Sequence, residues 1–197
     1  MQSASARRTQ VVYLGISGVL HPSRSLYHLL LGREPEADGH TEFESVPVLE
    51  RALQLYKDVR IVLTSTLPKK HGLARTLEWL GPALSARVSG FTFDDLTTKC
   101  KRDRYRHAMS AEDYWRSNKS EIVRAHVGWL QPAAWIAIDD ESILWLPQER
   151  LCHLVYVDGT LGLRDLAAQD RLATLLYNTF ELADSCVDGP TDGEEKP

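Results

Sequence analysis

The side chains best suited to chemistry sit beside three apolar runs. VVYL (Val11 to Leu14) is followed by Gly15-Ile16-Ser17-Gly18-Val19-Leu20-His21-Pro22, and VRIVL (Val59 to Leu63) by Thr64-Ser65-Thr66. AWIAI (Ala134 to Ile138) is preceded by Arg116 and Lys119 and ends in Asp139-Asp140-Glu141. Carboxylates directly after a buried strand need a ligand or a turn to cap. A strand-end hydroxyl, Thr64 or Ser65, either bonds backbone or faces a crevice. Gly18 permits the sharp turn that a loop after a strand requires, and amides in such a loop can cradle an anion. Gly15-x-Ser17 invites comparison with the G-x-S-x-G nucleophile elbow, but Val19 stands at the last position and the second glycine comes one residue early. The seven histidines show no triad order.

The elements that must carry these residues are legible as periods. The three runs lack polar alternation and read as buried strands, with HLVYV (His153 to Val157) as a further strand. Helical spacing links Val48, Leu49, Ala52, Leu53 and Tyr56 after Ser45, a candidate N-cap. Leu73, Leu77 and Leu80 repeat likewise and stop at Gly81-Pro82. Asn118 and Glu121 form a candidate capping box, and a last helix spans about Leu166 to Leu182. Strands separated by helices imply right-handed crossovers and a parallel sheet covered on both faces, whose ligands bind at the carboxyl ends of the strands.

These segments together resemble the haloacid dehalogenase-like (HAD) superfamily, and within it the HAD domain of Swiss Army Knife RNA repair proteins. Sequences there run like "DIDGVLHP", "IVLSSSW", "WIAIDD" and "VD…GL", and the likeness covers Val11 to about Leu175. It implies a three-layer, Rossmann-like α/β sandwich with a central parallel sheet of about five strands and a minimal cap. It also implies a phosphate-binding role for Ser17, Gly18, Thr64 or Ser65, and Lys119 with Arg116 as backup, and Asp139 and Asp140 as Mg²⁺ ligands. Gly15 stands where the family places its nucleophilic aspartate, and Ser17 where it places the second aspartate. Glycine can neither attack phosphorus nor ligate Mg²⁺, so the covalent mechanism is lost and the metal site weakened. Serine is a poor general acid/base.

Composition fits this reading. The chain has 197 residues, 43% hydrophobic and 25% charged, with a formal net charge of −4. That excludes a strongly basic coat protein. Cys100, Cys152 and Cys186 form no C-x-x-C pair. No run approaches the roughly 18 apolar residues of a membrane span, and the expected location is cytoplasmic. Residues 1–10 read as a disordered lead, 11–183 as one domain and 184–197 as an acidic tail. About 90–117 reads as an insertion carrying a basic segment, Lys99, Lys101, Arg102, Arg104, Tyr105 and Arg106, which is either a solvated face or a nucleic-acid patch. Tyr114, Trp115 and Trp145 are candidate cleft walls, and Trp79, Trp129 and Trp135 candidate core.

Three functions are therefore expected in order. The first is a HAD-like domain without phosphatase activity whose crevice binds a phosphorylated small molecule, a nucleotide, an RNA end or a protein partner. The second is an active metal-dependent phosphatase on nucleotides or RNA ends, using Asp139 or Asp140. The third is an interaction protein with a vestigial crevice.

Overall fold

Short apolar runs and amphipathic stretches resolve into five parallel strands and the helices that connect them. The computed structural model describes residues 9–97 and 109–181. The strands are β1 (Gln10–Leu14), β2 (Arg60–Leu63), β3 (Val88–Phe91), β4 (Ala134–Asp139) and β5 (Leu154–Tyr156), ordered β3-β2-β1-β4-β5. β1 lies at the centre, between β2 and β4. In sheets whose order reverses around a strand in this way, ligands bind at the carboxyl ends of the strands.

Alternation along each strand divides the interior into two layers. Val12, Leu14, Ile61, Leu63, Ile136 and Ile138 face one side, where α2 (Val46–Ala52), α4 (Leu73–Ser85) and α9 (Leu166–Leu176) supply Leu49, Leu80, Leu84, Leu172 and Leu176. Val11, Tyr13, Val62 and Ala137 face the other, against Val123 of α7 (Lys119–Leu130). The result is the expected three-layer α/β sandwich. Between β1 and α2 the chain holds only the eight-residue α1 (Arg24–Leu31) and a 3-10 turn (Pro35–Asp38), a minimal cap.

Several local expectations change. Gly90 and Phe91, read as the start of an insertion, close β3, and α5 (Thr92–Thr97) then packs on α7. Ser45 stands at the N-cap position of α2, its carbonyl accepting from the Val48 and Leu49 amides, but its hydroxyl makes no cap and is buried without a partner. α4 passes Gly81 through a break, where φ is +72°, and resumes to Ser85. α9 ends at Leu176, and Tyr177–Glu181 continues as a π turn. The capping box of α7 forms as read: the Asn118 side chain accepts from the Glu121 amide (3.1 Å) and Glu121 accepts from the Asn118 amide (3.0 Å). No helix among the described residues is long and apolar enough to cross a membrane.

Candidate functional site

Register places the candidate residues in one row. Leu14 pairs with Leu63 on one side and with Ile138 on the other, so the next residues, Thr64, Gly15 and Asp139, lie abreast across three strands. The alternation that sends Tyr13, Val62 and Ala137 toward α7 carries all three to that same face. Of the two strand-end hydroxyls, Thr64 is the one on the face of Gly15 and Asp139. Its Oγ1 is buried and has no hydrogen-bond partner. Ser65 Oγ is engaged locally, accepting from the Leu67 amide (3.2 Å).

The capping box fixes the first turn of α7 and thereby aims Lys119. Its Nζ donates to Asp139 Oδ2 at 2.8 Å, and the Asp139 side chain is 3% exposed. Asp139 Oδ1 accepts from the Glu141 amide (3.1 Å). Burial alone would lower the Lys119 pKa. The charges of Asp139, Glu141 and Asp140 and the hydrogen bond to Asp139 outweigh it and raise the pKa, so the ammonium keeps its proton. Asp140 is pushed up to about 6, first by burial and then by the neighbouring Asp139 charge.

Three glycines make room for this carboxylate pair. A β-carbon built on Gly15 would meet Asp139 Oδ2 at 2.8 Å, Val19 Cγ2 at 3.1 Å and the Ile138 carbonyl at 3.2 Å. Gly18 adopts φ +77°, and a β-carbon there would overlap the Asp140 carboxylate. Gly159, in the turn after β5, would meet Asp140 Oδ2 at 2.8 Å. Sequence reading passed over Gly159, although the Asp158-Gly159 dipeptide is a turn signal.

The loop between Gly15 and His21 is anchored by buried Ile16, Val19 and Leu20. Gly18 N donates to the His21 carbonyl (2.8 Å), and the Val19 and Leu20 amides to that of Ile16. No backbone oxygen of the described residues accepts from the Ile16 or Ser17 amide. Ser17 itself is exposed. His21 packs edge-on against Phe43, with ring centroids 4.9 Å apart, and burial holds its pKa below the ordinary range.

Other candidates stand apart. Arg116 pairs with Glu112 (2.9 Å), with its side chain 75% exposed, and makes no contact with the carboxylate pair. Tyr114 and Trp145 are buried core rather than cleft wall, and the Tyr114 hydroxyl meets Thr92 Oγ1 at 2.8 Å. Trp115 is exposed, and Lys69 Nζ lies 4.4 Å from its ring centroid. Trp129, expected in the core, is 41% exposed. Lys99, Lys101, Arg102, Arg104, Tyr105 and Arg106 lie outside the described residues.

Residues 11–168 match a family model described as the HAD domain in Swiss Army Knife RNA repair proteins. No curated protein and no solved structure matches. With a parallel sheet ordered around β1 and a match spanning most of its length, the chain belongs to this HAD domain family.

Proposed function

We propose that this HAD domain binds the phosphoryl group of a ligand and does not transfer it. The observation that carries the reading is the fit between Gly15 and Asp139. The space a side chain at position 15 would enter is taken by the Asp139 carboxylate, itself held by Lys119. No oxygen at the tip of β1 is available to attack phosphorus.

The Mg²⁺ that the family resemblance implies does not fit the donors present. Position 15 offers no carboxylate, and Asp139 is engaged by an ammonium group. Among the described residues no group of three or more His, Cys, Asp or Glu side chains could hold a metal ion. A hard dication needs such charged oxygen ligands. Activation of water by Asp139 is disfavoured for the same reason, since both of its oxygens already accept hydrogen bonds.

Binding groups remain. Lys119 supplies a half-buried cation, Thr64 an unpartnered hydroxyl in the row of Asp139, and Ile16 and Ser17 amides without backbone acceptors among the described residues. A phosphoryl group on a small molecule, a nucleotide or an RNA end presents the oxygens these donors need.

Thermal unfolding with inorganic phosphate, orthovanadate and nucleotides tests the reading, because a ligand of the native state raises the midpoint. Phosphate and vanadate are expected to raise it for the wild type and not for Lys119→Met. A wild-type midpoint unmoved by all of these compounds contradicts a phosphate-binding crevice.

A further inference from the structure

The crevice already contains an anion of its own. Among the described residues Lys119 is the cation paired with Asp139, whose Oδ2 holds it at 2.8 Å. Thr64 Oγ1, buried in the row of Gly15 and Asp139, has no partner, so an unsatisfied hydroxyl shares the row with the carboxylate that neutralises the ammonium group. An arriving phosphate dianion therefore meets a site whose hydrogen-bond donors are free and whose charge is taken. It gains little from Lys119 while Asp139 keeps it, because the like charge of the carboxylate opposes the dianion at close range. Asp139 can yield without being orphaned, since its Oδ1 retains the Glu141 amide at 3.1 Å.

We infer that Asp139 is a tethered competitor for the crevice: a ligand phosphate binds by exchanging with the Asp139 carboxylate on Lys119. The inference rests on the phosphate-binding reading and adds to it a built-in restraint on affinity. Anion binding is weak by construction, and whatever draws Asp139 away from Lys119 opens the site. Glu141 provides the control. It is exposed and adjacent, and its charge acts on Lys119, but among the described residues the ion pair of Lys119 is with Asp139. A general effect of negative charge would act through it nearly as well, whereas exchange acts through Asp139 alone.

Calorimetric titration of the full chain with inorganic phosphate reads the difference, with far-ultraviolet circular dichroism confirming that each variant is folded. Asp139→Asn removes the competing charge and is expected to bind phosphate about tenfold more tightly than the wild type, as close charge pairs couple by at least that factor. Glu141→Gln is expected to change affinity by less than about twofold, in line with exposed charges. Should Asp139→Asn fail to fold, Asp139→Ser carries the same expectation. An Asp139 variant that binds no tighter than a wild type that does bind overturns the inference and leaves the crevice reading standing. An equal gain from Glu141→Gln also overturns it, by making the effect one of charge alone. No binding by wild type or variants overturns both.

Discussion

The Asp139 carboxylate stands 2.8 Å from the point where residue 15 would carry a β-carbon, so Gly15 and Asp139 fit together as an absence and its filling. The two are neighbours by register, at the tips of β1 and β4, and the Gly15 amide donates to the Ile138 carbonyl at 2.9 Å. Any side chain at position 15 must push Asp139 and disturb its bond to Lys119.

Gly15→Ala tests that contact. Overpacking at this approach is expected to cost about 1–2 kcal/mol in urea denaturation. In an Asp139→Ala background the cost should largely vanish, since the nearest obstructing atom is gone. Equal penalties in the two backgrounds would show that the crowding comes from Val19 or the Ile138 carbonyl instead.

Restoring carboxylates at positions 15 and 17 should restore a cation requirement. In Gly15→Asp/Ser17→Asp the new charges crowd Asp139 and Asp140, and a divalent ion is the natural relief. Millimolar Mg²⁺ is expected to raise the melting midpoint of the double variant by several degrees and to leave the wild type unchanged. A wild type stabilised as much as the variant would contradict the account of the donor set.

Asp140 gives stability a pH dependence of definite sign. Its folded pKa of about 6 lies above the ordinary aspartate value of 3.8, so the folded state binds the proton more tightly than the unfolded one. Stability from this group therefore falls as pH rises from about 4 to 6, and the ionised form is a burden above that. Asp140→Asn should be more stable than wild type at pH 7 to 8, with the advantage shrinking on acidification and absent near pH 3. An advantage independent of pH would show that charge is not its source.

How far these relationships could be read from the residues depended on whether each one is a local property. β1, β2 and β4 were legible because central parallel strands are buried on both faces and leave unbroken apolar runs. The Asn118–Glu121 capping box was legible because its chemistry lies within four residues. β3 was not, since Val88-Ser89-Gly90-Phe91 is a short edge strand in which Ser89 is exposed and no apolar run forms. The choice between Thr64 and Ser65 needed the register of three strands, which no single segment contains. Arg116 stood as backup to Lys119, but the turn at Ser117 separates α6 (Ala111–Arg116) from α7 and leaves Arg116 with Glu112. Trp145 follows the acidic tip closely, yet its ring turns inward among Val11, Tyr13 and Val123.

A polar chain beneath the sheet holds α7 to β1. The Tyr13 hydroxyl meets His126 Nδ1 at 2.9 Å, and His126 Nε2 meets Asp95 Oδ2 at 3.1 Å. His126 is 1% exposed, so losing a partner leaves a nitrogen that water cannot reach. Tyr13→Phe is expected to cost about 1–2 kcal/mol in urea denaturation. A variant as stable as wild type would show that the chain does not brace the helix carrying Lys119.

The central claim is that no phosphoryl group is transferred, and steady-state phosphate release tests it most directly. Wild-type protein is incubated with Mg²⁺ and a panel of phosphomonoesters that includes nucleotides and 3′- and 5′-phosphorylated RNA oligonucleotides. The expected result is phosphate release no faster than from the panel alone. Sustained multiple turnover by the unaltered chain, lost on Asp139→Asn, would contradict the claim and make Asp139 part of a working active site.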